Sequence, residues 1–184
     1  LKIAKVVKSD IEKTIVLDTT LIYDFEETEN INNGKSYILV YAFTVTGSDI
    51  TQLKEFAREH NLDIISVTFN NSHSWANKNL FSIDPLYFVS LVEHAKYVYT
   101  STFHGLLFAI KYKKQVALRN NPTIQAKCSW LIERLALEGV LISEDREISS
   151  IYNDSNLYGD DFDDSFAALK AESISFLKRS IGGQ

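Results

Sequence analysis

Apolar positions in this chain fall into short continuous runs that alternate with stretches of helical spacing. Residues 37–45 and 62–69 are β-branched and aromatic runs without in/out alternation, which is typical of strands buried on both faces of a parallel sheet. Between them, apolar residues recur at helical spacing over 50–60. Because so short a crossover joins parallel strands, the pattern predicts a strand–helix–strand unit.

The same scheme continues through the second half of the chain. Asp84 and Pro85 are typical of a helix start and predict a helix that runs to Ala95. Further strands are predicted at 97–99 and 115–118, and further helices at 103–112, 124–137 and 163–179. The polar residues 70–79 are interpreted as a loop. Alternating strands and helices predict an α/β fold, with a Rossmann-like open parallel sheet and helices on both faces.

Composition narrows the class of protein. The 184 residues fit one domain or two small ones, and 45% hydrophobic against 23% charged residues can form a folded core. The net charge of −5 disfavours a general nucleic-acid binder. The long uncharged run at 97–110 falls short of the roughly 20 residues that a membrane span needs. We therefore expect no nucleic-acid partner and no membrane span.

Cysteine and methionine usage adds two expectations. The single cysteine, Cys128, excludes an intrachain disulfide and a thiolate metal site and favours the cytoplasm. The four histidines lack metal-ligand spacing, so we expect no metal. Since methionine is absent, we expect the chain to belong to a longer product. We predict one α/β domain over 1–184, in which an acidic loop and C-terminal helix at 143–184 pack back on the domain.

The segment Ser101-Thr102-Phe103-His104-Gly105 carries the strongest chemical pattern. It joins a predicted strand to a predicted helix, where ligands of open parallel sheets bind. The free N–H groups and partial positive charge of a helix start suit a phosphate or carboxylate. Ser101 and Thr102 offer hydroxyls, Gly105 allows close backbone approach, and His104 can bind an anion or move a proton. The alternative interpretation is a simple helix cap beside a buried histidine.

Arg119 ends a predicted strand at the same edge of the sheet. Its guanidinium would suit bidentate pairing with an anion, and the alternative is an ordinary surface arginine. Glycine-rich patterns of phosphate loops and dinucleotide-binding domains are absent, which disfavours those chemistries.

Residues 82–138 resemble the C-terminal half of the polysaccharide pyruvyl transferase family, and a weaker likeness extends the resemblance over 15–142. The residues that carry it are Ile83-Asp84-Pro85-Leu86-Tyr87-Phe88, Ala95-Lys96-Tyr97-Val98, Thr100-Ser101-Thr102-Phe103-His104-Gly105, Phe108-Ala109-Ile110 and the 130–137 helix, with Val16-Leu17-Asp18-Thr19-Thr20-Leu21 upstream.

The resemblance implies an architecture like that of GT-B glycosyltransferases, whose two Rossmann-like halves face a cleft. This chain would be the C-terminal half, and an N-terminal half of the same protein would be missing. The implied reaction moves an enolpyruvyl unit from phosphoenolpyruvate to two sugar hydroxyls and forms a pyruvate ketal in exopolysaccharide or cell-surface polysaccharide. The implied partners are a small anionic donor and a carbohydrate acceptor, with no cofactor besides the donor substrate.

One departure from the family concerns the helix start. Many members carry Arg-x-His there, whereas this chain has Thr102-Phe103-His104 and so keeps only the histidine. Arg119 is our candidate for the missing charge. We predict His104 as catalytic and Ser101, Thr102, Gly105 and Arg119 as substrate-binding. Two alternatives stay open: a GT-B glycosyltransferase half that uses a nucleotide-sugar, and a non-catalytic α/β binding module, which the missing arginine favours.

Overall fold

Five parallel strands form one sheet in the computed structural model, which describes residues 14–26, 28–29, 34–68 and 72–182. The order across the sheet is β3-β2-β1-β4-β5. The strands are β1 Tyr37–Tyr41, β2 Asp63–Thr68, β3 Lys78–Phe81, β4 Tyr97–Thr100 and β5 Gln115–Leu118. The inner strands β1 and β4 are almost wholly buried, which explains why their sequences lack in/out alternation. The predicted open parallel sheet is confirmed.

Helices cover both faces of this sheet. In the described residues they are α1 Thr19–Ile22, α2 Gly47–Glu59, α3 Pro85–His94, α4 Phe103–Lys111, α5 Pro122–Arg134, α6 Ile148–Tyr152 and α7 Phe162–Gly182, with a 3₁₀ turn at Glu138–Val140. Helix α2 contacts α6, whereas α4 contacts α1, α3 and α5. Because crossovers between parallel strands are right-handed, the two groups lie on opposite faces of the sheet.

The direction of the chain across the sheet reverses between β1 and β4. It runs outward from β1 through β2 to β3, then returns to place β4 beside β1, with Tyr41 opposite Thr100. The segments that follow β1 and β4 therefore leave the sheet toward opposite faces. Such a reversal opens a crevice at the carboxyl ends of the strands, and open α/β sheets bind their ligands there.

Three short elements differ from the sequence predictions. Strand β3 occupies 78–81, so the predicted loop over 70–79 is wrong at its end; residues 69–71 lie outside the described residues. This edge strand is half exposed and begins with the polar residues Lys78 and Asn79. It therefore lacks the continuous apolar run that predicts a buried strand. Helices α1 and α6 have four and five residues, too few to show helical periodicity. The first strand ends at Tyr41 rather than at 45.

The C-terminal helix α7 packs against α1. Leu169 is buried in the core, and the Ser173 hydroxyl accepts a hydrogen bond from the Leu17 N–H at 3.0 Å. An ion pair joins Lys170 to Asp24 at 2.6 Å. Along the described ranges, none of the helices has both the length and the apolar composition required to cross a bilayer.

Candidate functional site

Buried hydroxyl groups fix the start of α4 against the end of β4. Thr102 caps the helix, and its Oγ1 accepts a hydrogen bond from the Gly105 N–H at 3.0 Å. The Thr100 hydroxyl donates to the Tyr41 carbonyl at 2.7 Å and accepts from the Thr102 N–H at 3.0 Å. Both threonines are buried. The predicted site residue Thr102 therefore has a structural task, because its hydroxyl orients the opening turn of α4.

Gly105 lets α4 start directly on the strand. A Cβ at this position would lie 2.2 Å from Thr100 Oγ1 and 2.7 Å from Thr102 Oγ1, so a side chain does not fit. Ser101 joins the two loops of the crevice, since its Oγ accepts a hydrogen bond from the Phe43 N–H at 3.1 Å. Gly105 and Ser101 thus hold the site together, whether or not they also touch a ligand.

A cavity of about 400 Å³ lies at this crevice, and we call it the α4/α5 pocket. Its lining comes from the ends of β1 and β4, from the first turn of α4 and from the first two turns of α5. The lining residues are Tyr41, Phe43, Ser101, Thr102, Phe103, His104, Asn121, Thr123, Ile124 and Lys127. Three of the predicted site residues therefore lie around one space.

Two helix N-termini meet at the α4/α5 pocket. Asn121 caps α5, with its Oδ1 accepting hydrogen bonds from the Thr123 and Ile124 N–H groups at 3.0 Å each. Its Nδ2 donates to the Ser101 carbonyl at 3.4 Å, which ties the start of α5 to the loop before α4. Each helix start carries a partial positive charge of about half a unit. Two such charges around one cavity favour a bound anion.

His104 and Lys127 add basic side chains to the pocket. The His104 imidazole is exposed, and its ring lies 5.2 Å from the Phe103 ring centroid to centroid. The Lys127 ammonium lies 5.7 Å from the centroid of the Phe103 ring, so it stands over the first residue of α4. Lys127 was not among the site residues predicted from the sequence. Its place one turn after Thr123 on a helix that starts at the same sheet edge was the available signal.

Arg119 is held by a buried carboxylate instead of lining the α4/α5 pocket. Its Nε donates to Asp49 Oδ2 at 3.1 Å and its Nη2 bonds to Asp49 Oδ1, while the Tyr99 hydroxyl donates to Oδ2 at 2.7 Å. Burial alone would raise the pKa of Asp49, but hydrogen bonds from Arg119, Tyr99 and Thr46 outweigh it and lower that pKa. The ion pair with Asp49 explains where the Arg119 side chain lies. A donor-binding role for Arg119 stays a prediction.

Asp49 had no role among the site residues predicted from the sequence. With Thr46 it forms a capping box at the start of α2, in which each side chain bonds the other residue's N–H. That spacing was visible in the sequence, although its link to Arg119 depends on the order of the strands.

A second cavity, of about 300 Å³, lies on the other side of His104, and we call it the aromatic pocket. Most of its lining is apolar, and it shares Tyr41 and His104 with the α4/α5 pocket. The lining residues are Tyr41, Val67, Thr68, Ser82, Ile83, Pro85, Phe88, His104 and Phe108. His104 therefore faces two spaces of different character.

Among the described residues, acidic, cysteine and histidine side chains do not gather into a metal site. Within the part of the chain that the structure describes, no three of them lie close enough to hold an ion. The crevice offers helix N-termini, hydroxyl groups, an imidazole and an ammonium.

Comparison with known proteins gives distant structural likenesses. No family model matches the chain, and no curated protein matches it. The glycosyltransferase SnogD from Streptomyces nogalater aligns at 13% identity and a TM-score of 0.41, over 83% of this chain and 42% of its own. A protein described as a UDP-N-acetylglucosamine 2-epimerase from Listeria monocytogenes aligns at 11% identity and a TM-score of 0.43, over 90% of this chain and 51% of its own. The chain spans about half the length of these structures, and likenesses this distant identify no activity.

Proposed function

We propose that this chain is the donor-binding half of an enzyme that transfers a pyruvyl group from phosphoenolpyruvate to a sugar. The supporting observation is the α4/α5 pocket, where two helix N-termini, His104 and Lys127 converge on one space at the reversal point of the sheet. The family resemblance supplies the donor, and the pocket supplies groups that fit it. A second half, upstream in the same protein, would complete the cleft.

Phosphoenolpyruvate carries a phosphate and a carboxylate, so its site must offer several hydrogen-bond donors and positive charge. The opening turns of α4 and α5 provide backbone dipoles, and the Lys127 ammonium provides a full charge. Lys127 is a better candidate than Arg119 for the charge that the helix-start motif lacks. It lines the pocket, whereas the Arg119 guanidinium bonds to Asp49.

The proposed reaction forms two carbon–oxygen bonds and breaks one. The methylene carbon of phosphoenolpyruvate takes up a proton, and one sugar hydroxyl attacks the adjacent carbon. The bond from that carbon to the phosphate oxygen then breaks, and a second hydroxyl attacks to close the cyclic ketal. Of the two hydroxyl protons, one balances the new methyl group and the other leaves with the phosphate, so the products are the ketal and hydrogen phosphate.

His104 is the residue that can act on this donor. Its exposed imidazole stands on the second residue of α4, where it faces the α4/α5 pocket. An imidazole can donate a proton to the methylene carbon, and general acid catalysis of this kind is worth about 10²–10⁴-fold in rate. The same side chain, when protonated, suits charge pairing with the phosphate.

Ligand titrations test the proposal. Thermal unfolding of the wild type would be followed with phosphoenolpyruvate, inorganic phosphate and UDP, and repeated for His104→Ala and Lys127→Met. Lys54→Met is the matched control, because Lys54 is an exposed helical lysine that does not line the pocket.

The expected result is stabilisation by phosphoenolpyruvate that exceeds the effect of phosphate, is lost in both pocket variants and persists in Lys54→Met. A response to UDP alone would support a nucleotide-sugar enzyme instead. No response to any of the three ligands would support a non-catalytic module and refute the proposal.

A further inference from the structure

The wall of the aromatic pocket is a packed set of rings. Tyr41 and Phe88 lie 4.6 Å apart between centroids at 55°, and Phe88 meets Phe108 at 5.5 Å and 81°. These side chains come from β1, α3 and α4, so three separate elements hold the surface in place. Such a wall is rigid and apolar, and it suits the flat C–H face of a neutral ring.

A few polar groups interrupt this apolar lining. Thr68 lies at the end of β2, His104 lies on α4, and Ser82 lies in the turn between β3 and α3. Ser82 has a φ of 47°, in the left-handed region that disfavours a residue with a side chain. Non-glycine residues in this conformation cluster at ligand sites, and the turn presents the exposed Ser82 at the rim of the cavity.

Size and charge define what the aromatic pocket can hold. Its volume of about 300 Å³ is at the lower end of small-molecule sites, which run from about 300 to 1,000 Å³. That space suits one ring rather than a nucleoside diphosphate. Among the described residues, its lining includes no lysine, arginine, aspartate or glutamate, so a neutral ligand with several hydroxyl groups fits best.

We propose that the aromatic pocket is the acceptor subsite and binds a neutral pyranose ring. This inference rests on the proposed function and adds a location for the acceptor within this half. Because His104 lines both pockets, a pyranose in the aromatic pocket would present its hydroxyl groups to the same imidazole that faces the donor. His104 would thus stand at the boundary where the new bonds form.

Amide chemical shifts of the ¹⁵N-labelled chain test both sites separately. One titration uses phosphoenolpyruvate, a second uses methyl galactopyranoside, and a third uses uridine. We expect phosphoenolpyruvate to shift the amides of Thr123, Ile124 and Lys127, and the pyranoside to shift those of Ser82 and Ile83. His104 should respond to both ligands.

Variants then assign the sites by opposite effects. Ser82→Ala removes the hydroxyl and should weaken pyranoside binding about three- to tenfold, as expected for one hydrogen bond, without changing phosphoenolpyruvate binding. Ser82→Gly removes the hydroxyl and also relieves the strain of the left-handed conformation. It should therefore raise the stability of the chain and weaken pyranoside binding as much as Ser82→Ala does. Lys127→Met should weaken only phosphoenolpyruvate.

The two proposals fail in different titrations. The acceptor subsite is overturned if the pyranoside shifts no amide of the aromatic pocket. It is also overturned if uridine shifts those amides and the pyranoside does not. The proposed function is overturned if phosphoenolpyruvate shifts no amide of the α4/α5 pocket. Equal pyranoside affinity in the wild type and both Ser82 variants overturns the role of that hydroxyl.

Discussion

Gly105→Ala is the substitution that tests most sharply how the site is built. The added Cβ would lie 2.2 Å from Thr100 Oγ1 and 2.9 Å from Thr100 Cβ. Thr100 has no room to yield, because it is fully buried in β4 and its hydroxyl bonds to Tyr41 and Thr102. The start of α4 must therefore move away from the strand.

The size of the effect follows from three contributions. Overpacking a buried position costs about 1–3 kcal/mol. Loss of one or two hydrogen bonds around Thr100 adds about 1 kcal/mol each. Alanine in place of glycine within a helix returns about 1 kcal/mol. The sum is a destabilisation of about 2 kcal/mol, and in a chain of 184 residues this lowers Tm by about 4–8 °C.

Urea and thermal unfolding measure the change, and Gly47→Ala is the matched control. Gly47 is the first residue of α2, and a Cβ there meets nothing within 4 Å. We expect Gly47→Ala to be stabilising by about 0.4–1 kcal/mol. Gly105→Ala should also weaken binding of phosphoenolpyruvate, since it displaces His104. A Gly105→Ala variant as stable as the Gly47→Ala control would refute the packing argument.

Three further substitutions or reactions follow from buried or strained groups. Asp49→Asn should cost about 3 kcal/mol at pH 7, because it removes the buried charged partner of Arg119. Since the pKa of Asp49 is lowered in the folded state, the stability that this carboxylate gives the wild type is present above about pH 4 and is lost below it. Urea unfolding should therefore show the stabilities of the two proteins converging in acid, and a difference that stays constant with pH would contradict this. Ala136→Gly should raise the free energy of unfolding by about 1 kcal/mol, because Ala136 is exposed with a φ of 51° after α5; an unchanged urea midpoint would argue against this strain. Burial raises the pKa of Cys128 to about 11, so its thiol should resist iodoacetamide at pH 8 and react once urea unfolds the chain; rapid labelling of the folded chain would contradict its burial.

The pattern of hydrophobic residues predicted most of the strands and helices. The buried strands β1, β2, β4 and β5 are continuous apolar runs, and Asp84-Pro85 marks the start of α3 at the residue where the structure begins it. Strand β3 was not predicted, because it is short, half exposed and polar at its start. Strand order cannot be read from periodicity, since it depends on which strands pair, and the crevice between β1 and β4 follows from that order.

Candidate residues at the site were predictable where they follow one another along the chain. The helix-start motif placed His104 near an anion-binding turn, and the structure exposes its imidazole to two cavities. Lys127 was not found, because it reaches the pocket only after α5 folds back beside α4. The pairing of Arg119 with Asp49 likewise joins residues 70 positions apart. Contacts of this range follow from topology rather than from local pattern.

A crystal structure of the chain grown with phosphoenolpyruvate is the most direct test of the central claim. We expect the phosphate and carboxylate between the first turns of α4 and α5, with His104 and Lys127 in contact with the ligand. Donor density at any other surface, or an empty α4/α5 pocket at saturating phosphoenolpyruvate, would contradict the claim.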